Sequence, residues 1–327
     1  MKPGLTILKL NSLFVFFACF STSAQIRIQD RPADKVVVFG NELVQMTLDY
    51  NKKCVVTDLL VNQEPVLQAE SGIFSEVRTS DATFSTRQLN ASPEIKTTKT
   101  TVVLSNIAYG EGKAPVRERW TFSIDEADIR LNIERTVSEN FVADEVAFPS
   151  VNFKSISTWD GAFLGYGGLA WFYLFNEKLC TYGVHTGSSV FWNSSTGNGL
   201  SVSAGAAGKQ VASKFTRSAD DHLAYAVSVS DSELKYRYDA DTKRRRFIRE
   251  KTDVWEPFSL KAGKYTQSVT FSRVDCNREY GRGHLAGING GQVTSLLNTI
   301  ARIGVIDARL FGGNSWHTPY GPICLHE

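Results

Sequence analysis

Residues Val116 to Val137, VRERWTFSIDEADIRLNIERTV, constrain the fold more than any other stretch of the sequence. Trp120, Phe122 and Ile124 alternate with Thr121, Ser123 and Asp125. Ile129, Leu131 and Ile133 then alternate with Arg130, Asn132 and Glu134. A period of two puts apolar groups on one side of a strand and polar groups on the other. Between the arms lies Asp125-Glu126-Ala127-Asp128, polar and turn-prone, so the stretch predicts an antiparallel hairpin with one buried and one wet face. Such a hairpin is not stable alone. Its apolar face requires more sheet, and the flanking sequence supplies it.

Before the hairpin, strand patterns recur at Ile26 to Gly40, Asn41 to Asp49, Cys54 to Val61, Pro65 to Leu67, Gly72 to Thr79 and Lys99 to Ile107. The Ser-, Thr-, Asn- and Asp-rich stretch Ser80 to Thr98 reads as either a long loop or a ragged edge strand. After the hairpin, Phe141 to Phe153 holds a strand around Val146, Phe148 and Val151; Pro149 marks it as an edge or a bulge. Further strand patterns cover Leu200 to Ala207, Ala224 to Ser230, Lys235 to Tyr238, Arg246 to Lys251, Trp255 to Leu260 and Lys264 to Val274. Many short strands joined by turns favour one large antiparallel sandwich, all-β in class, over residues 25–283. The chain has 327 residues, 42% of them hydrophobic and 21% charged, enough to bury the core of one such domain.

The period changes near the C-terminus. In Gly291 to Gly304, Val293, Leu296, Leu297, Ile300 and Ile303 form one apolar stripe at helical spacing, and Gly304 is a natural stop. A striped helix needs a surface to pack on. Residues 284–327 therefore read as a linker and the opening of a helical domain, incomplete at Glu327.

The first 24 residues have the pattern of a secretory leader. Lys2 and Lys9 are basic, Leu13 to Phe20 is a short apolar core, and Thr22-Ser23-Ala24 fits a small-residue cleavage site before Gln25. The apolar run is too short to span a membrane. Export, to periplasm or medium, is the expectation. A lipoprotein would use Cys19, which Phe16 and Phe20 surround unsuitably. The 36 Lys and Arg, less the two in the leader, leave 34 against 34 Asp and Glu. A net charge near zero argues against a nucleic-acid partner. The basic run Lys243-Arg244-Arg245-Arg246 reads as a solvated edge or turn. Four cysteines remain in the mature chain: Cys54, Cys180, Cys276 and Cys324. Export permits three disulfide pairings, and a chain of this size does not need them. Buried free thiols are the plain expectation. No zinc motif, nucleophile elbow or phosphate-cradling loop is present, so neither metal nor cofactor is expected.

Candidate ligand residues come from two aromatic stretches. Gly161 to Trp192 combines many glycines with Trp171, Tyr173 and Trp192, which serve either as a sugar-stacking platform or as core and seam. Trp316 and His317 lie in the Gly- and Pro-broken stretch Phe311 to Glu327, and loops carry function more often than periodic elements. His185 and His222 are isolated in strand-like sequence and read as structural; general acid–base work needs a positioned partner. His284 reads as a linker residue, and Asp160 as a turn residue.

An exported β-rich stretch of this length followed by helical sequence resembles the N-terminal, galactose mutarotase-like supersandwich of six-hairpin glycoside hydrolases. The resemblance is architectural and covers most of residues 25–327. It implies a carbohydrate-active protein working on poly- or oligosaccharide, with the sandwich packed beside an (α/α)6 toroid that carries the catalytic carboxylates. Gly313 to Pro319 would fall in the toroid's first loop, and the carboxylates beyond Glu327. No catalytic residue is assigned. Two other readings stay open. One is a stand-alone carbohydrate-binding module. The other is a mutarotase-like epimerase, which would need a histidine and a carboxylate facing each other in one cleft.

Overall fold

A computed structural model of the chain describes residues 25–69, 71–159, 161–164, 168–169, 181–184, 187–193, 196, 198–207, 210–230, 257–275, 316–318 and 321–323. Residues 1–24 with their leader pattern, the basic run at 243–246, Cys180, Cys276, Cys324 and the striped segment 291–304 lie outside the described residues.

The regular structure of the described residues is almost wholly strand. The first quarter of the chain forms β1 (Arg27–Arg31), β2 (Val36–Gly40), β3 (Val44–Asp49), β4 (Val55–Val61), β5 (Glu64–Pro65) and β6 (Ile73–Arg78). Then come β7 (Thr83–Ser85), β8 (Glu94–Thr97), β9 (Thr101–Tyr109), β10 (Val116–Ile124), β11 (Asp128–Val137), β12 (Phe141–Ala143) and β13 (Glu145–Phe153). A single 3-10 turn, Ile156–Thr158, follows. The rest comprises β14 (Gly161–Leu164), β15 (Gly168–Leu169), β16 (Thr181–Val184), β17 (Ser188–Asn193), β18 (Asn198–Ala206), β19 (Gln210–Arg217) and β20 (Leu223–Ser230). It closes with β21 (Phe258–Leu260), β22 (Gly263–Asp275), β23 (Trp316–Thr318) and β24 (Gly321–Ile323).

Two antiparallel sheets take up most of these strands. The larger has the order β1-β2-β3-β4-β6-β13-β20-β19-β16, with β5 and β7 paired at its side. The other runs β15-β14-β17-β18-β22-β11-β10-β9-β8. They face each other across one core. Phe39 of the larger sheet meets Phe122 of the smaller at 4.7 Å between ring centroids, and Phe148 meets Trp120 at 5.1 Å. Further along the same interior, Phe191 packs on Phe153 and Tyr225. Rings in these tilted and edge-on arrangements bury large area and pair favourably. The fold is thus an all-β sandwich, as the alternating patterns predict.

The hairpin from which that expectation started lies inside the smaller sheet. β10 and β11 pair in unbroken register from Val116↔Val137 to Ile124↔Ile129. The Asp125 carboxylate makes the turn by accepting from the backbone N–H groups of Ala127 and Asp128. β9 and β22 flank the hairpin. Its buried face carries Trp120, Phe122, Leu131 and Ile133, and also Glu118 and Arg135, which oppose each other directly in the register. Every oxygen of Glu118 is bonded. Oε1 accepts from Arg135 Nε at 2.6 Å and from the Ser75 and Tyr109 hydroxyls at 2.8 Å; Oε2 accepts from the Trp120 indole at 2.8 Å. Arg135 Nη2 also donates to Ser75 Oγ at 3.0 Å. Ser75 belongs to β6, so this network ties one sheet to the other. Burial lowers the Arg135 pKa, but the Glu118 charge and Tyr109 outweigh it and hold the guanidinium above its ordinary value.

β13 takes the second of the two alternatives that Pro149 left open, the bulge. It is an interior strand, paired to β6 and to β20, and not an edge. Pro149 is the extra residue of a bulge: Ala147 and Ser150 oppose Glu76 and Phe74, so three steps on β13 match two on β6. Proline has no N–H to offer a ladder, and the bulge is where its absence is tolerated. The stretch 80–98 contains β7 and β8, short strands at the sides of the two different sheets, so it is the ragged-edge alternative that holds. Gly72 enters β6 at φ +21°, where an added Cβ would come within 1.8 Å of the Val56 carbonyl oxygen. The close approach of β4 to β6 requires a glycine there. Cys54 is a buried free thiol. Burial, then the charges of Glu118 and Asp49, push its pKa well up, which makes it an inert packing residue.

Candidate functional site

The outer face of the larger sheet gathers charge at its centre. In β6, Ile73, Ser75 and Val77 point into the sandwich, so Phe74, Glu76 and Arg78 point outward. The register then carries this face across the sheet. Arg78 opposes Glu145 and Glu76 opposes Ala147 on β13; Ala147 opposes Ser228 on β20; Ala226 opposes Lys214 on β19. Small residues at Ala147 and Ala226 leave room for the long side chains around them.

Glu145 is the centre of the group and is 2% exposed. Arg78 Nη2 lies 2.6 Å from its Oε2, and Lys214 Nζ donates to the same oxygen. The Ser228 hydroxyl donates to Oε1 at 2.5 Å. Burial alone would raise the pKa of Glu145, but Lys214 and Arg78 hold it below the ordinary carboxylate value. Glu76, beside it, is pushed the other way, by burial first and by the Glu145 charge second. Lys214, Arg87 and Arg78 oppose that shift without cancelling it. Two carboxylates thus share one face with their proton affinities driven apart, an arrangement that recurs where acid and base roles are divided. The guanidinium of Arg87 lies over the Phe74 ring at 4.5 Å and extends the patch.

The group is not sealed. Side-chain exposure is 35% for Arg78 and 18% for Lys214. A bound molecule therefore meets two cationic donors held in place by Glu145, with Glu76 alongside as a group that accepts when ionised and donates when protonated.

None of these residues was singled out by sequence patterns. The residues that were fall elsewhere. Trp171 and Tyr173 lie outside the described residues, as do His185, His284 and Asp160. Trp192 is in β17, opposite Gly161 and Gly199, and Trp316 and His317 open the β23–β24 pair, with His317 opposite Pro322. The side chains of these three lie outside the described residues. His222 has a structural setting: Nδ1 is 3.0 Å from the Lys154 carbonyl oxygen, and Nε2 is 3.3 Å from Asp220, two residues away on the same exposed turn. Among the described residues, no group of three or more His, Cys, Asp and Glu is placed to hold a metal ion, and no helix is long and apolar enough to cross a membrane. Period two in Ser75-Glu76-Val77-Arg78 does place Glu76 and Arg78 on one face. Their meeting with Glu145 and Lys214 depends on the order β6-β13-β20-β19, which no local pattern encodes.

No protein-family model matches the chain, and no curated protein matches it. Solved structures of similar shape do exist. A galactose mutarotase-like protein from Clostridium acetobutylicum superposes with a TM-score of 0.49 at 6% identity, over 77% of this chain and 99% of that one. An alpha-galactosidase from Lactobacillus brevis gives 0.48 at 6% identity, over 86% of this chain and 49% of that one. A 4-alpha-glucanotransferase from Thermococcus litoralis gives 0.45 at 10% identity, over 76% and 39%. This chain spans nearly the whole of the first and less than half of the other two.

Proposed function

We propose that the chain is the β-sandwich part of an exported carbohydrate-active protein, glycoside hydrolase-like in organisation, and that sugar is received on the outer face of the larger sheet at Glu145. The observation that carries this reading is the half-open ionic group itself. Arg78 and Lys214 are fixed by a carboxylate they share, and both reach the surface. Sugars present dense hydroxyls, each able to donate and accept. Preorganised charged donors next to a titratable carboxyl match that chemistry, and they lose little freedom on binding. The near-zero net charge of the mature sequence suits an uncharged ligand. Export rests on the leader pattern of residues 1–24, and a helical partner for the sandwich rests on the stripe at 291–304.

The test is calorimetric titration of the full chain with a panel of mono- and oligosaccharides, beside a reducing-end assay on the oligosaccharides. Binding that weakens at least tenfold in Arg78→Gln, at a temperature where the variant is fully folded, is the expected result. Reducing ends released by the same protein mark a hydrolase, and binding without release marks a binding module. The reading fails if no sugar binds, or if Arg78→Gln binds every sugar as the parent does.

A further inference from the structure

Three turns meet at one end of the sandwich and enclose a second site. The first joins β4 to β5 through Asn62 and Gln63, both at positive φ. The second is the 3-10 turn after β13, closed by a capping box between Ser155 and Thr158. The third lies where β17 ends at Asn193 and β18 begins at Asn198, its partner in the register. Amide side chains tie the three together. Asn193 Nδ2 donates to the Thr158 carbonyl at 3.1 Å, and Asn62 Nδ2 donates to Asn198 Oδ1 at 3.1 Å. Thr196 braces the third turn, its N–H donating to Asn193 Oδ1 and its Oγ1 accepting from the Asn198 N–H.

Between the turns is a cleft of about 270 Å³. Its lining alternates chemistry: the Glu64 carboxylate, the Lys154 ammonium, the Ser157 and Thr196 hydroxyls, the Asn198 amide, and apolar patches from Val61 and Pro65. Trp159 also lines it. That indole is 2% exposed and packs edge-on against Phe153 at 5.6 Å. Its Nε1 is buried with no hydrogen-bond partner. Tryptophan N–H groups are ordinarily satisfied when buried, and an orphan beside a cleft points to a missing acceptor.

We infer that this cleft binds a single uncharged sugar unit, at a site that shares no residue with the Glu145 group. The inference rests on the reading that the ligand is a carbohydrate. One acid and one base cancel, so neither an anion nor a cation is favoured. Among the described residues Glu64 is the only carboxylate in the lining, too few for a metal ion. Hydroxyl and amide groups converging from three sides satisfy a ring that bears hydroxyls all round. The volume lies just below that of pockets for drug-sized ligands, which suits one ring and not a chain.

Calorimetric titration of the full chain with glucose, galactose, mannose and N-acetylglucosamine tests this. Two sites per chain are expected for at least one of these sugars. Ser157→Trp fills the mouth from an exposed position, and Glu64→Trp fills it from the exposed strand β5 on another side. Each should weaken one site at least tenfold while leaving the other and the melting temperature unchanged, and Arg78→Gln, assayed where it is fully folded, should weaken the other site and spare this one. Parent-like isotherms in either tryptophan variant that stays folded overturn the cleft site and leave the sheet-face reading standing. Retention of sugar binding in Arg78→Gln together with its loss in Ser157→Trp does the reverse. No heat with any sugar removes both.

Discussion

Glu118 and Glu145 are both buried carboxylates held by cationic side chains, and they sit on opposite sides of the same strand, β6. Ser75 points inward to Glu118, and the outward Arg78 pairs with Glu145. The difference between them lies in their partners. Arg135, Tyr109, Ser75 and Trp120 are all buried, so the Glu118 network is closed to water on every side. Glu145 is just as buried, but its cations reach the surface. A charge whose every partner is sealed serves register and sheet pairing. A charge whose partners are half in water is able to exchange them for a ligand. A buried ion pair is retained at a cost in desolvation, so its presence asks for one of these two explanations.

The sharpest way to break the comparison is to remove the cation from the sealed network. Arg135→Met leaves Glu118 ionised or protonated in an apolar interior, and the loss of stability should be about 3–5 kcal/mol. Urea denaturation measures it. Adding Glu118→Gln should recover part of the loss, because the stranded charge is gone. A loss under about 1 kcal/mol, on the scale of an exposed pair, would mean that water reaches the network and that the two clusters do not differ in kind.

Lys214→Met asks the same of the outer face and should cost less, about 1–3 kcal/mol, because Arg78 and Ser228 remain on Glu145. Salt separates the two variants further. Ions screen the half-exposed cluster and leave the sealed one untouched. The destabilisation by Lys214→Met should therefore shrink between low and high sodium chloride, while that of Arg135→Met stays constant. Equal salt responses would place both clusters in one environment.

The two clusters also differ in how far the sequence discloses them. Period two across Val116 to Val137 gives the strands, the turn and the buried face, and by itself places Glu118 and Arg135 among the apolar positions opposite each other. That pair was legible, since a charge at a core position on each arm of one hairpin predicts a bridge. Ser75, Tyr109 and the tie between sheets were not, because they come from β6 and β9. The outer cluster draws on four strands, and its bonded partners alone lie up to 83 residues apart, as in the Ser228–Glu145 bond. Strand order at that range is set by which faces fit together in the core, a property of the whole fold. Pro149 left edge and bulge both open for a related reason. Proline excludes a regular interior strand, and a bulge lets it sit in one all the same. The cleft at the three turns was equally silent, since Asn62, Thr158 and Asn198 meet only when their hairpins do.

The smallest effect expected is also the one that tests the outer cluster as a titrating unit. Glu145 has a folded-state pKa below its ordinary 4.5, so the stability it adds is fully present above that pH and is lost as pH falls through the lower, folded value. Glu76 has the opposite sign. Its folded pKa lies above the ordinary 4.5, so between the two values the folded chain holds a proton that the unfolded chain has released. There the unfolded state binds fewer protons, and stability must fall as pH rises. Glu76→Gln removes that falling limb and leaves the acid limb, which belongs to Glu145. Melting temperatures of the parent and Glu76→Gln should diverge as pH rises from about 4.5 and run parallel below it. Because the Glu145 charge is one source of the Glu76 shift and Lys214 opposes it, Lys214→Met should carry the divergence on to higher pH, with its onset still near the unfolded value of 4.5. Parallel profiles throughout would mean that the two carboxyls do not sense each other, and the outer face would then carry an ion pair without a proton to share.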